Sequence, residues 1–292
     1  MPSYRRAADY STLRHISEQL QIRLYGRGWM AHLTQRWGWH RPIRVLEHAL
    51  TLPADGQARP PLRLVFASDF HAGPTTHPQV LAEACAAIAA ARPDLLLLGG
   101  DFVSLEARHL DALAPLLGAI PAPLGRFAVL GNHDLWADDY PIRRGLAAAG
   151  IPVLINQAAQ LAAPYEHVWI CGLDDPTAGR PEPDRALGPA TGTRIVLMHS
   201  PEGLGVLQGR HYDLALCGHT HGGQIALPSG RPLLMPAGRF NWRYPHGRFT
   251  LAPPAHRTLI VSRGVGYGGL PIRYAAPADI VVCTIGWRAA AG

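Results

Sequence analysis

From residue 62 onward, short apolar runs recur along the chain, and a polar residue closes most of them. The runs are LRLVFA (62–67), DLLLLGG (94–100), RFAVLG (126–131), HVWICG (167–172), RIVLMH (194–199) and DLALCG (213–218). Runs this short, and rich in Leu, Val and Ile, read as buried strands. Helix-like stretches lie between several of them, among them PQVLAEACAAIAAARP (78–93) and YPIRRGLAAAG (140–150). Strands alternating with helices predict an α/β domain. Near the C-terminus, RTLIVSRGVGYGG (257–269) and ADIVVCTIGW (278–287) read as strands with no helix between them. The sheet is therefore expected to gain antiparallel members there.

The first fifty residues follow another pattern. Leu13, Ile16, Leu20 and Leu24 keep rough helical spacing until Gly26 and Gly28 interrupt it, and TLPADGQARPP (51–61) reads as a loop. The division expected is an Arg- and Trp-rich helical extension, residues 1–55, followed by one domain, residues 56–292. A pair of helices covering the sheet would explain the extension. The alternative is an interfacial helix, with Arg for anionic lipid and Trp29, Trp37 and Trp39 for the headgroup layer.

Composition narrows the class. The chain has 292 residues, 48% of them hydrophobic and 16% charged, which supports a substantial core and argues against long charged tails. Net charge is +6, and every basic residue is Arg. A basic balance suits an anionic partner, but much of the excess lies before residue 50 and no specific nucleic-acid partner is expected. Cys85, Cys171, Cys217 and Cys283 lack CxxC spacing and read as small buried hydrophobes in a reducing compartment. No signal peptide or membrane span is legible, so the expected location is cytoplasmic, with peripheral contact at the inner membrane through residues 1–50 as an option.

The chemistry lies where the runs end. Asp69 and His71 follow the first, Asp101 the second, Asn132 and His133 the third, His199 the fifth, and His219 and His221 the sixth. Ligand sites in α/β sheets gather beyond the carboxyl ends of strands. Parallel strands would bring these residues together from more than half the chain. In an extended segment, His219 and His221 would face the same way, toward one ion, two ions or none. Carboxylate, imidazole and amide oxygen without thiolate suit divalent Mn, Fe, Zn or Co. Asp69, His71, Asp101, Asn132, His199, His219 and His221 are too many for one ion. A pair of ions roughly 3.5–4 Å apart is a standard device for phosphate-ester hydrolysis.

The segments DFH (69–71), GGD (99–101), GNHD (131–134), MHSP (198–201) and GHTHGGQ (218–224) together resemble the calcineurin-like metallophosphoesterases. The tail SRGVGYGGLPIRYAAPADIVV (262–282) resembles a bacterial, often membrane-associated branch. One member type of that branch cleaves the pyrophosphate of UDP-2,3-diacylglucosamine in lipid A synthesis. The resemblance implies a four-layer fold, two packed mixed sheets flanked by helices. It also implies two divalent ions, Mn foremost. Asp69, His71 and His221 would bind the first, Asp101 would bridge, and Asn132, His199 and His219 would complete the second. A hydroxide held between the ions would attack phosphorus in line, with His133 as acid and Asp134 holding its ring in the useful tautomer.

The substrate implied is a phosphorylated small molecule or a lipid-linked one, cleaved at a phosphodiester or pyrophosphate bond. A nuclease or protein phosphatase is the alternative, and a non-catalytic scaffold the third reading. Asp175, Arg263 and Arg273 are candidate substrate contacts. For Asp175, a strand-to-turn cap is an equal reading.

Overall fold

The structure, a computed structural model, describes residues 7, 11–57, 59–251 and 257–289. The N-terminal charges at Arg5, Arg6 and Asp9 lie outside them. In chain order the strands are β1 (Arg44–Ala54), β2 (Leu62–Ala67), β3 (Leu95–Leu98), β4 (Arg126–Ala128), β5 (Gln157–Gln160), β6 (Val168–Gly172), β7 (Thr193–Leu197), β8 (Leu214–Cys217), β9 (Gly247–Leu251), β10 (Arg257–Val261) and β11 (Asp279–Ala289). The helices are α1 (Thr12–Tyr25), α2 (Trp29–Arg36), α3 (Pro78–Ala90), α4 (Leu110–Gly118), α5 (Asn132–Ala137), α6 (Asp139–Ala148), α7 (Pro183–Leu187) and α8 (Arg239–Arg243).

Two mixed sheets result, in the orders β1-β11-β2-β3-β4 and β5-β6-β7-β8-β10-β9. Alternation along each strand divides its side chains between two faces. Leu62, Leu64 and Phe66 of β2 and Leu95 and Leu97 of β3 meet Ile195, Leu197, Leu214, Leu216 and Ile260 of the other sheet. Val65, Ala67, Leu96 and Leu98 point the opposite way, onto Val80, Ala84 and Ile88 of α3 and Leu113 and Leu117 of α4. The outer face of the second sheet, with Val196, Ala215 and Leu259, is covered by Ala186 and Leu187 of α7 and by Leu204 and Leu207. The layers are therefore helices, sheet, sheet, helices. All four cysteines are buried and free.

Two expectations need correction, and the expected antiparallel members at the C-terminal end are joined by parallel pairings. The helical extension ends at Arg36, because residues 44–54 form β1, parallel to β11 through its whole length. The boundary at residue 55 therefore follows a strand that belongs to the first sheet, and residues 51–54 are not loop. Arg44, Glu47 and His48 break the apolar run. An edge strand needs burial on one face and tolerates Pro53 there, and Leu50, Leu52 and Ala54 supply that burial. At the C-terminal end, β11 is antiparallel to β2 as expected, but β10 runs parallel to β8 and antiparallel to β9. Finally, α1 does not lay its leucines on a sheet. It buries Glu18 and Tyr25 and leaves Leu13 80% exposed, with Ile16, Leu20 and Leu24 also outward. Among the described residues no helix is long and apolar enough to cross a membrane.

Candidate metal centre

β2, β3 and β4 of one sheet and β7 and β8 of the other all deliver their closing residues to one end of the sandwich. Backbone bonds stitch these loops together. Asp69 N donates to Gly100 O at 2.9 Å, His71 N to Asp101 O at 2.9 Å, and Gly218 N to His199 O at 2.8 Å. The turns are tight. Asp69, His71, Asp101, His219 and His221 all sit at left-handed φ, between 47° and 70°. Each such residue costs about 1–3 kcal/mol and persists only where its surroundings hold it. Gly131 shows the crowding, since a Cβ there would meet the Asp101 side chain and lie 2.7 Å from His199 Cε1.

Two clusters of donor atoms result. Asp69, His71 and His221 form one, and Asp101, His199 and His219 the other; His133 also comes within reach of His71 and Asp101 as a third, overlapping group. His71 Nε2 and His221 Nε2 are 3.0 Å apart, and His221 Nε2 is 3.5 Å from Asp69 Oδ1. In the second cluster His199 Nε2 lies 3.1 Å from both His219 Nδ1 and Asn132 Oδ1. Asp101 stands between them, its Oδ2 3.5 Å from His71 Nε2 and 3.3 Å from His199 Nε2. The structure thus brings together the seven residues singled out in the sequence.

Burial and closely placed charges together set the protonation of this site. Burial holds His71 and His219 down to about 3, and His221 well below the usual range, so these rings are neutral. Burial pushes the Asp69 carboxyl up to about 6. Burial also raises Asp101, but His199 and His133 outweigh it and hold that carboxyl well below the usual range. For His199, burial lowers the value, but Asp101, Asp69 and Asp175 overcome it, since these acids call for positive charge beside them. A divalent ion would supply that charge and face lone pairs now crowded against each other. His199 Nδ1 is 2.8 Å from the Gly99 carbonyl; donating there, it leaves Nε2 as the ligand atom. The donor set fits hard or borderline divalent metal.

Three expected roles change, and Asp175 takes the turn-cap reading. Asp134 does not hold the His133 ring. Its carboxylate accepts from Phe102 N, Val103 N and Gly131 N at 2.8–3.2 Å, tying the loop after β3 to the start of α5. His133 Nδ1 instead meets the Ser104 carbonyl at 2.9 Å. Asp175 is fully buried and accepts from Thr177 N and Ala178 N. It caps the turn and does not line the cavity, and burial pushes it up to about 6. Arg263 pairs with Asp279 at 3.6 Å. Arg273 donates to the carbonyls of Arg263, Gly266 and Ala276 and to His221 Nδ1 at 3.0 Å. Neither arginine lines the cavity, and Arg273 acts through His221.

Sequence reasoning missed Ser104, whose carbonyl no motif marks. It also missed the apolar wall. A cavity of about 600 Å³ opens over His71, Asp101, Asn132, His133, His219 and His221, and Ile225, Leu234, Met235, Pro236 and Leu270 also line it. Arg14 of α1 lines the same cavity and stacks 3.2 Å over the Trp136 ring.

With the fold and these clusters in place, the family follows. Residues 62–223 match the family model for the calcineurin-like phosphoesterases, and the chain belongs to that family of metal-dependent phosphoric ester hydrolases. Phosphodiesterase YaeI of Escherichia coli (strain K12) is 33% identical over 250 residues, 82% of this chain and 86% of that protein. The UDP-2,3-diacylglucosamine pyrophosphatase LpxG of Chlamydia trachomatis is 28% identical over 274 residues, covering 75% of this chain and 82% of that protein. Among solved structures, TT1561 of Thermus thermophilus is similar with a TM-score of 0.47 and 12% identity, over 70% of this chain and 90% of that chain.

Proposed function

We propose that the chain hydrolyses a phosphodiester or pyrophosphate bond in a lipid-linked nucleotide, of the kind represented by UDP-2,3-diacylglucosamine. The observation that carries this reading is a single cavity lined both by the polar ligands and by Ile225, Leu234, Met235 and Leu270. A free nucleotide would leave that wall unused, whereas an acyl chain would bury it at roughly 25 cal/mol per Å² of apolar surface. The name of the chlamydial relative supports the same substrate class.

Asp69, His71 and His221 would hold one divalent ion, and Asn132, His199 and His219 a second, with Asp101 shared. Manganese is the metal we favour for this thiolate-free set. When bound, such ions supply Lewis acidity toward phosphoryl oxygens and a nucleophile at neutral pH. His133 contributes the proton. With Nδ1 donating to Ser104 O, its Nε2 serves the cavity, and the protonated ring can donate to the leaving oxygen.

A substrate panel with Mn²⁺ tests the reading. Bis-p-nitrophenyl phosphate, free nucleotides, phospholipids and UDP-linked acyl sugars are compared by kcat/KM. We expect the acylated sugar nucleotide to exceed its deacylated counterpart by at least about tenfold, about 1.4 kcal/mol. Equal values, or preferred cleavage of nucleic acid or phosphoprotein, would replace it.

A further inference from the structure

The large apolar side chains that face solvent are not scattered. Leu13, Ile16, Leu20 and Leu24 fall on one side of α1, and Trp29, Trp37 and Trp39 continue the exposure. Leu227, Leu233, Leu234, Leu270 and Tyr274 form a second group. The second is one surface, because Leu233 N donates to Ile225 O at 3.0 Å and Ala226 N to Tyr274 O at 2.9 Å. Both groups border the metal cavity. Arg14, next to Leu13 on α1, lines it, and so do Leu234 and Leu270.

A helix in water turns its apolar stripe inward, and α1 does the reverse. Exposed patches of this kind mark a contact surface. The charge around it names the partner. Between residues 11 and 44 stand Arg14, Arg23, Arg27, Arg36, Arg41 and Arg44, against the single acid Glu18, which is buried. On α8, Arg239 and Arg243 flank exposed Trp242. Leucines to enter an acyl boundary, tryptophans for the headgroup level and arginines for anionic heads form an interfacial composition. A protein partner would not require this sign of charge.

We propose that α1, the Trp29–Trp39 segment and the rim Leu227–Leu234 with Leu270 form a docking face for an anionic lipid bilayer, which presents the mouth of the metal cavity to the headgroup layer. A phosphoester linked to lipid would then reach the ligands without leaving the membrane surface. That purpose rests on the lipid-linked reading above, but the docking does not.

The full chain is sedimented with vesicles of phosphatidylcholine alone, and with vesicles holding roughly 30% phosphatidylglycerol, at about 0.1 M salt. Binding to the anionic vesicles is expected to be at least about tenfold stronger than to neutral ones. The pair Leu20→Glu and Leu24→Glu is expected to weaken it at least about tenfold. Turnover of soluble bis-p-nitrophenyl phosphate should be unchanged in that variant, which shows that the fold survives. Equal binding to both vesicle types overturns the proposal. So does unchanged binding by the variant, or a vesicle-free dimer that the two substitutions dissociate. Vesicle binding without cleavage of any lipid-linked nucleotide would sink the substrate reading and leave the docking face standing.

Discussion

At the scale of single residues, the site is built by strain and exclusion as much as by attraction. Five ligand positions are held at left-handed φ, a conformation that Asp and His seldom adopt. Burial holds the imidazoles of His71, His219 and His221 low, whereas the surrounding acids raise that of His199. His133 differs from these rings. It lines the cavity beside them, its ring centroid 4.8 Å from that of His71, and the Ser104 carbonyl fixes its tautomer. Removing it should therefore spare the metal. His133→Ala is expected to keep the metal content of the parent by elemental analysis while kcat falls about 10²–10⁴-fold. A variant that loses metal in step with activity would move His133 into the ligand set.

At the scale of elements, what matters is how closely the loops after the strands approach each other. The N-terminus of α5 presses on the loop after β3. His133 N donates to Asp101 Oδ1 at 2.9 Å, and Asp134 accepts from both loops. Gly131 sits at that contact with an ordinary φ of −101°, so its reason for lacking a side chain is space alone. Gly131→Ala should force Asp101 aside, and metal content and turnover should fall together, with a destabilisation of about 1–3 kcal/mol from overpacking. Retention of parent metal content in this variant would refute the crowding argument.

The sequence reveals such strand ends well, because a buried strand announces itself by apolar composition and its last polar residue stands out. It conceals contacts made by backbone. Nothing in the residues around Ser104 says that its carbonyl faces His133. Asp134, adjacent to His133 in sequence, reads as its partner, yet the helical turn carries the carboxylate to three amide donors instead. Asp175 was open to either reading, and its amide donors make it a cap.

At the scale of the whole molecule, two sheets packed face to face bring residues 150 positions apart within hydrogen-bond distance, as His71 and His221 show. The α/β alternation and the ordered strand ends were legible because burial on both faces writes continuous apolar runs. β1 was not, because an edge strand with Arg44, Glu47 and Pro53 satisfies only one face. The orientation of α1 was not legible either. Its leucine spacing is the same whether the stripe faces a sheet or solvent, and only the exposure of Leu13, Ile16, Leu20 and Leu24 in the structure distinguishes them.

The central claim is that these seven residues hold metal for phosphoester hydrolysis. The most direct test is the initial rate of bis-p-nitrophenyl phosphate hydrolysis by chelator-stripped protein as Mn²⁺ is returned. A rate near background is expected without metal. The rate should then rise to a plateau as about two ions per chain are bound, and Asp101→Ala should abolish that rise. Full turnover by the stripped protein, or by Asp101→Ala, would contradict it.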